Sequence, residues 1–552
     1  MKIAVRAGLA VAAAAALVIS VSACSPGGSG SAGGGSNFLR VGATAVVDSL
    51  NPFVSDSDYS SVMYQYIYPH LTEYDENLEI VPSFAESWES SADGTTWTFN
   101  TVKDAKWSDG EALDAEDVAF TANLILEYAD GPTGILSGWV AHLNKAEATD
   151  ANTVVFTYDA PVANVLTQVQ ALHILPEHIW APKATGDGIE LTNFDNAPPI
   201  VSGGPFTLES YKKDQMMMYK TNPNWYGKAP EIDGWGLQFF ANDDAMVSAL
   251  KSGQVDMVGL TTPPTAVEKL KADGMTVQTG QSVSIKNVII NTNPEKTAHR
   301  ELLNPEVRKA LEYGIDRNEI VEQTYLGNAE PGSTLLTPIS GFKNESLPGL
   351  PYDIEAGNKI LDDLGYLPGA DGIRVADGEK MAYELVFPTA ESGSGDRAFQ
   401  TMQRGWEKLG IKVEQRKMDS DAAWDAITAP DNKYLDFDIA MWNWAPPYEP
   451  DFILSTLTCD SLGGNSDSGY CNPKYDELYK AQGTELDAAK RQEIINEMQQ
   501  IIFDDRPYIV YAYPNVIEAF NPAWDGFVLS PLVGSINNLS TQTLTGVHKT
   551  EK

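Results

Sequence analysis

Between residues 442 and 471 the chain gathers side chains suited to holding a small molecule. Trp442-Asn443-Trp444-Ala445-Pro446-Pro447-Tyr448-Glu449-Pro450-Asp451 sets two indoles and a phenol among three prolines. Flat aromatic faces offer large stacking surfaces. Asn443 brings both a donor and an acceptor, and Glu449 and Asp451 bring charge. Two readings are open: the aromatics pack a sheet edge, or they wall a pocket. The pocket reading is preferred, because prolines stiffen the loop and a stiff loop loses little entropy when a ligand binds.

A core strand must carry this loop. Leu435, Phe437, Ile439 and Met441 alternate with Asp436, Asp438 and Ala440, the period of a strand with one buried face. The prolines then end it, which places Trp442 onward in a loop. Elsewhere the elements are legible from caps and periodicity. Asp93-Gly94 and Asp109-Gly110 are turns, with Trp97 and Phe99 on one face of the strand after the first. Asp114 is an N-cap with acids in the following turn. Asn304 caps a helix with Pro305 at its first position and Gly314 past its end. Helices are predicted over 396–409, burying Phe399, Met402, Trp406 and Leu409, and over 489–503, with Ile494, Ile495, Met498, Ile501 and Ile502 on one face. Residues 284–291 and 507–514 are strand-like.

At 552 residues the chain is too long for one core, so two or three domains are expected. A net charge of −38 argues against nucleic acid and against an anionic membrane surface as partners of the folded part. The first residues read as an export signal: Lys2 and Arg6, then an apolar run from Ala7 to Val21 that is too short to span a bilayer. Val21-Ser22-Ala23-Cys24 resembles a bacterial lipobox, with Cys24 as the lipidated residue. Residues 25–36 are Gly/Ser-rich, a tether of roughly 20 Å root-mean-square reach. Two acyl chains on Cys24 suffice for stable anchoring. In an exported chain Cys459 and Cys471, bracketing one polar loop, most simply form a disulfide. Zinc is the alternative, but the chain has only six histidines, and His173 and His178 lack ligand spacing.

Five ordered segments carry a family resemblance. They are Val81 to Thr121, with Ser91-Ala92-Asp93-Gly94 and Lys106-Trp107-Ser108-Asp109-Gly110; Ser202-Gly203-Gly204-Pro205-Phe206 with Asn222-Pro223-Asn224-Trp225-Tyr226-Gly227; Ala249 to Asp256; Asn304 to Arg317; and 435–475, ending in Asn472-Pro473-Lys474-Tyr475. Together they resemble the family 5 extracytoplasmic solute-binding proteins, the peptide-, oligosaccharide- and nickel-type receptors of ABC importers. The resemblance implies an α/β, two-lobed periplasmic-binding-protein fold (type II, cluster C) with an extra small domain. It implies a signal peptide over 1–23, the lipidated cysteine and tether over 24–36, a discontinuous first lobe of 37–58, 197–282 and 508–552, an inserted domain over 59–196, and a second lobe over 283–507. The crossings between lobes are expected near 283–292 and 505–515. The expected partners are a small solute and the permease with its ATPase, at the outer face of the cytoplasmic membrane. The expected protein is a monomer with no cofactor and no metal.

No Gly-rich phosphate cradle, Gly-x-Ser-x-Gly elbow or His-Glu-x-x-His motif is present, so binding is expected rather than catalysis. Peptide-binding members of the family place an aspartate in the Trp-rich loop for the solute's ammonium group. Here that position holds Pro446, with Glu449 and Asp451 nearby. Trp442, Trp444 and Tyr448 suit a sugar ring equally well, so peptide is the class expected and oligosaccharide the alternative. Asn51, Gly203 and Gly204 are the contributors expected from the other lobe.

Overall fold

The computed structural model describes residues 37–44, 47–55, 57–258, 262–428, 437–446, 448–531 and 541–550. Cys24 and its neighbours, Val46, Leu435, Asp436 and Pro447 lie outside them.

Two large mixed sheets organise the chain. The first has seven strands, in the order Thr276–Gly280, Val516–Phe520, Met257–Val258, Phe38–Ala43, Gly234–Phe239, Met216–Thr221 and Phe206–Lys212. Phe38–Ala43 lies parallel to both its neighbours, and the other pairings are antiparallel. The second sheet has six strands, in the order Ala329–Pro331, Tyr508–Pro514, Ile285–Ile290, Ile439–Trp444, Ala382–Pro388 and Lys412–Met418. Ile285–Ile290 is central and antiparallel to both neighbours. Its two faces feed two cores. Val288 and Ile290 join Ile439, Met441 and Trp406 on one side, while Ile285 and Ile289 join Ala440, Val510, Ile495 and Met498 on the other. A strand buried on both faces reads as the continuous apolar run Val288-Ile289-Ile290 rather than as an alternation.

The chain changes sheet twice. Residues 281–284 lead from Thr276–Gly280 into Ile285–Ile290, and Asn515 alone separates Tyr508–Pro514 from Val516–Phe520. Residues 285–290 and 508–514, expected near the lobe crossings, are thus hydrogen-bonded strands of the second sheet. The sequence boundary at 507/508 falls ahead of a strand that belongs to that sheet. The segments that join the two sheets are the short connectors beside these strands, 281–284 and Asn515.

Residues 85–158 contain a four-stranded antiparallel sheet in the order Ala85–Ser90, Thr96–Thr101, Thr153–Tyr158, Leu143–Asp150. Trp97 and Phe99 stack within it, and Gly94 turns its first hairpin at φ +71°. Its core is continuous with that of the seven-stranded sheet, running from Phe99 and Phe156 through Trp107 and Tyr66 to Trp235. Local signals hold: Asp114 closes a capping box with Asp117, and Asn304 caps Pro305–Tyr313. Ser394–Lys408 buries Phe399, Met402 and Trp406, and Ala488–Asp505 buries Ile495 and Met498.

Candidate functional site

A cleft of about 490 Å³ opens where the two sheets meet. The segments that join the two sheets line it with Ser282, Ser284, Pro514 and Asn515. One wall comes from the first-sheet side and includes Asn242, Asp243, Asp244, Thr262 and Ile517; the other includes Lys286, Tyr325, Arg397 and Asn443. Its volume is in the range of small-molecule sites.

Each wall has a local cause. Asn242 caps the helix Asp243–Ser252 through the Ala245 amide at 2.9 Å, which sets Asp243 and Asp244 in the first turn, where acids complement the helix dipole. Burial pushes the Asp243 carboxyl up, against a hydrogen bond donated by the Thr44 hydroxyl. On the other wall Lys286 and Asn443 are direct cross-strand partners. Lys286 Nζ pairs with Glu391 Oε2 at 2.7 Å, and Asn443 Nδ2 donates to Glu391 Oε1 at 2.7 Å. Arg397 is exposed and makes no ion pair among the described residues.

The strand carrying the tryptophans runs further than its prolines suggest. Ile439–Trp444 pairs with Ile285–Ile290 along its whole length, so residues 442–444 are strand and not loop. Alternation then sends Asn443 to the cleft and Trp442 and Trp444 to the opposite face. There Trp424 packs against both, at 5.4 Å and 5.8 Å, and Phe452 meets Trp444 at 5.9 Å. The two indoles are therefore not part of the wall that holds Asn443. The Trp444 indole N–H donates to Asp467 at 3.2 Å, and the Tyr508 hydroxyl donates to the same carboxyl group. Asp467 is fully buried, and burial pushes its carboxyl up to about 7 against those two hydrogen bonds.

Asp467 lies in the loop between Cys459 and Cys471, which are joined by a disulfide with a Cα–Cα distance of 4.5 Å. Replacing both cysteines with serine is expected to lose about 3 kcal/mol. Urea unfolding followed by tryptophan fluorescence measures this; an unchanged midpoint would mean the loop is held without the bridge.

Several residues expected at the site make contacts within the protein and do not line this cleft. The Asn51 amide group is spent: Nδ2 donates to the carbonyls of Leu191 and Phe194, and Oδ1 accepts from the Phe53 amide. Gly203 and Gly204 both donate to the Ile67 carbonyl at 2.9 Å. A Cβ on Gly204 would stand 2.5 Å from the Tyr66 carbonyl oxygen, and one on Gly203 2.9 Å from Trp107, so close packing requires both glycines. Glu449 is buried in an ion pair with Arg491, and Asp451 accepts from Gln482 at 2.7 Å. Tyr448 packs on Tyr74 at 6.0 Å, in a small cluster with Leu78, Val283 and Ile339.

Lys286, Glu391, Arg397, Asp243 and Asp244 were not singled out from the sequence. One signal was available, a lysine between Ile285 and the strand residues Asn287-Val288-Ile289-Ile290. The others are ordinary surface types until the two sheets bring them together.

The fold and cleft define a two-sheet α/β binding protein. The chain belongs to the bacterial extracellular solute-binding proteins, family 5, whose middle-region model matches residues 79–465. By that membership it is a solute receptor and not an enzyme. It is 27% identical to Protein XP55 of Streptomyces lividans over 92% of this chain and 89% of that one. It is 25% identical to the dipeptide-binding protein of Escherichia coli (strain K12), over 88% of this chain and 91% of that one. Its fold matches the oligopeptide-binding protein AppA of Bacillus subtilis, solved with a nonapeptide, at a TM-score of 0.79 and 22% identity over 93% of this chain and 99% of that one.

Proposed function

We propose that this chain is the extracytoplasmic receptor of an ABC importer, anchored through Cys24, and that it captures a peptide-class solute in the cleft and delivers it to the permease. The observation that carries this reading is a cleft lined from both sheets and from the two segments that join them. A solute touching both walls stabilises the closed arrangement by its differential affinity for it. In this reading the first lobe carries the seven-stranded sheet with the 59–196 insertion, and the second carries the six-stranded sheet. The lobes rock about 281–284 and Asn515. Asp243 and Asp244 receive an ammonium group, and Arg397 receives a carboxylate across the cleft.

Isothermal titration of the detergent-solubilised full-length protein with tri-alanine tests this. Arg397→Ala and Asp243→Asn/Asp244→Asn are each expected to weaken binding roughly tenfold or more with little change in melting. Binding unaffected by either variant would overturn the assignment of the two ends. A second reading, a neutral oligosaccharide, is favoured by Pro446 standing where peptide binders carry an acid. Saturable binding of maltotriose in place of tri-alanine would select it. Detergent phase partitioning of the wild type and Cys24→Ser tests the anchor, with loss from the detergent phase expected in the variant.

A further inference from the structure

One cleft-lining cation already has its charge answered from within the protein. Lys286 sits mid-strand beside the fully buried Ile285, where an unpaired ammonium is costly. Its ion pair with Glu391 at 2.7 Å meets that cost; the two side chains are only 18% and 13% exposed. The second carboxylate oxygen takes the Asn443 amide N–H at 2.7 Å. An ionised carboxylate only accepts, so Asn443 is held in one orientation, with Nδ2 toward Glu391 and Oδ1 away from it. That Oδ1 accepts no hydrogen bond from the described residues. Lys286 has three N–H groups and commits one. Lys286 and Asn443 line the cleft, whereas Glu391 stands behind them.

The triad therefore offers the cleft N–H donors from Lys286 and one carbonyl acceptor from Asn443, at zero net charge. We propose that Lys286, Glu391 and Asn443 are the specificity-determining element of the second-sheet wall. They receive an uncharged donor–acceptor part of the solute, such as a backbone amide or a pair of hydroxyls, and turn a free carboxylate or ammonium away from their own part of that wall, which leaves the carboxylate to Arg397. A carboxylate drawn to Lys286 meets the charge of Glu391 just behind it, and an ammonium meets Lys286 itself. The proposal rests on the cleft being the solute site, and it separates the solute's charged ends, read by Arg397 and the Asp243–Asp244 turn, from its neutral middle.

The test removes one charge at a time and uses simple ions as probes. Melting of the full-length protein is followed by tryptophan fluorescence in sodium sulfate, against sodium chloride of equal ionic strength. Glu391→Gln uncovers Lys286 and is expected to bind sulfate roughly tenfold more tightly than the wild type. The added change Lys286→Met should abolish that gain. Lys286→Met alone uncovers Glu391 and should produce a similar gain for 1,4-diaminobutane. The two arms are independent, so failure of one variant to fold leaves the other decisive. Wild-type responses to both ions in the folded variants would overturn the proposal. Ion gains as expected with no tri-alanine binding would instead leave the triad standing and remove the peptide reading.

Discussion

Arg491→Met is expected to destabilise the protein by about 3–5 kcal/mol, because it strands a carboxylate in the interior. Glu449 is 7% exposed and accepts from Arg491, from the Asp451 amide at 2.8 Å, and from the Asn164 amide at 3.4 Å. Arg491 also bonds the Gln482 carbonyl and side chain and lies over the Phe342 ring. Burial pushes the Glu449 carboxyl up, and the guanidinium opposes it. Removing the guanidinium leaves the burial cost with nothing to offset it. Adding Glu449→Gln to Arg491→Met should recover most of the loss, since a neutral amide is far cheaper to bury. Urea unfolding midpoints of the two single variants and the double variant check this. A midpoint for Arg491→Met equal to wild type would mean that Glu449 finds another partner or water, and would reopen its role as a solute contact.

The second large effect is on the pH dependence of stability. Asp467 titrates near 7 in the folded protein and near the ordinary carboxylate value of about 4 when unfolded. Between those values the native state holds a proton that the unfolded chain has released. The contribution is thus fully present below about pH 4 and is lost as pH rises through about 7. The size expected is on the order of 2–4 kcal/mol. Asp467→Asn keeps an acceptor for Tyr508 or Trp444 and removes the titration, so its stability should fall less than that of the wild type between pH 5 and 8. Parallel slopes for the two proteins across that window would show that Asp467 is ionised throughout.

These two residues show where sequence reading stops. Glu449 and Asp451 have the residue types of an ammonium site, and nothing in the one-dimensional pattern reveals that Arg491 and Gln482 have already taken them. The same holds for Asn51, whose three hydrogen bonds reach to Leu191, Phe194 and Phe53. Trp442 and Trp444 were legible as important aromatics, but their face depends on how far the strand continues. That is set by pairing with Ile285–Ile290, a partner about 150 residues away in sequence. With 442–444 in the strand, strict alternation sends Asn443 to the cleft and the two indoles to the opposite face.

By itself the sequence determined the family, the α/β class, the caps at Asp114 and Asn304, the turn at Gly94 and the pairing of Cys459 with Cys471. Each of these is local, or is carried by an ordered series of motifs, and short-range hydrogen bonding and backbone sterics suffice to specify it. Tertiary structure alone decided the membership of the two sheets, the segments 281–284 and Asn515 that join them, and the composition of the cleft. Asp243, Lys286, Glu391, Arg397 and Asn443 lie up to 200 residues apart and are unremarkable one by one. Burial forces Lys286 and Glu391 to pair, while the exposed Asp243 and Arg397 gain their place from the cleft, and both burial and the cleft are properties of the packed sheets rather than of any segment of the chain.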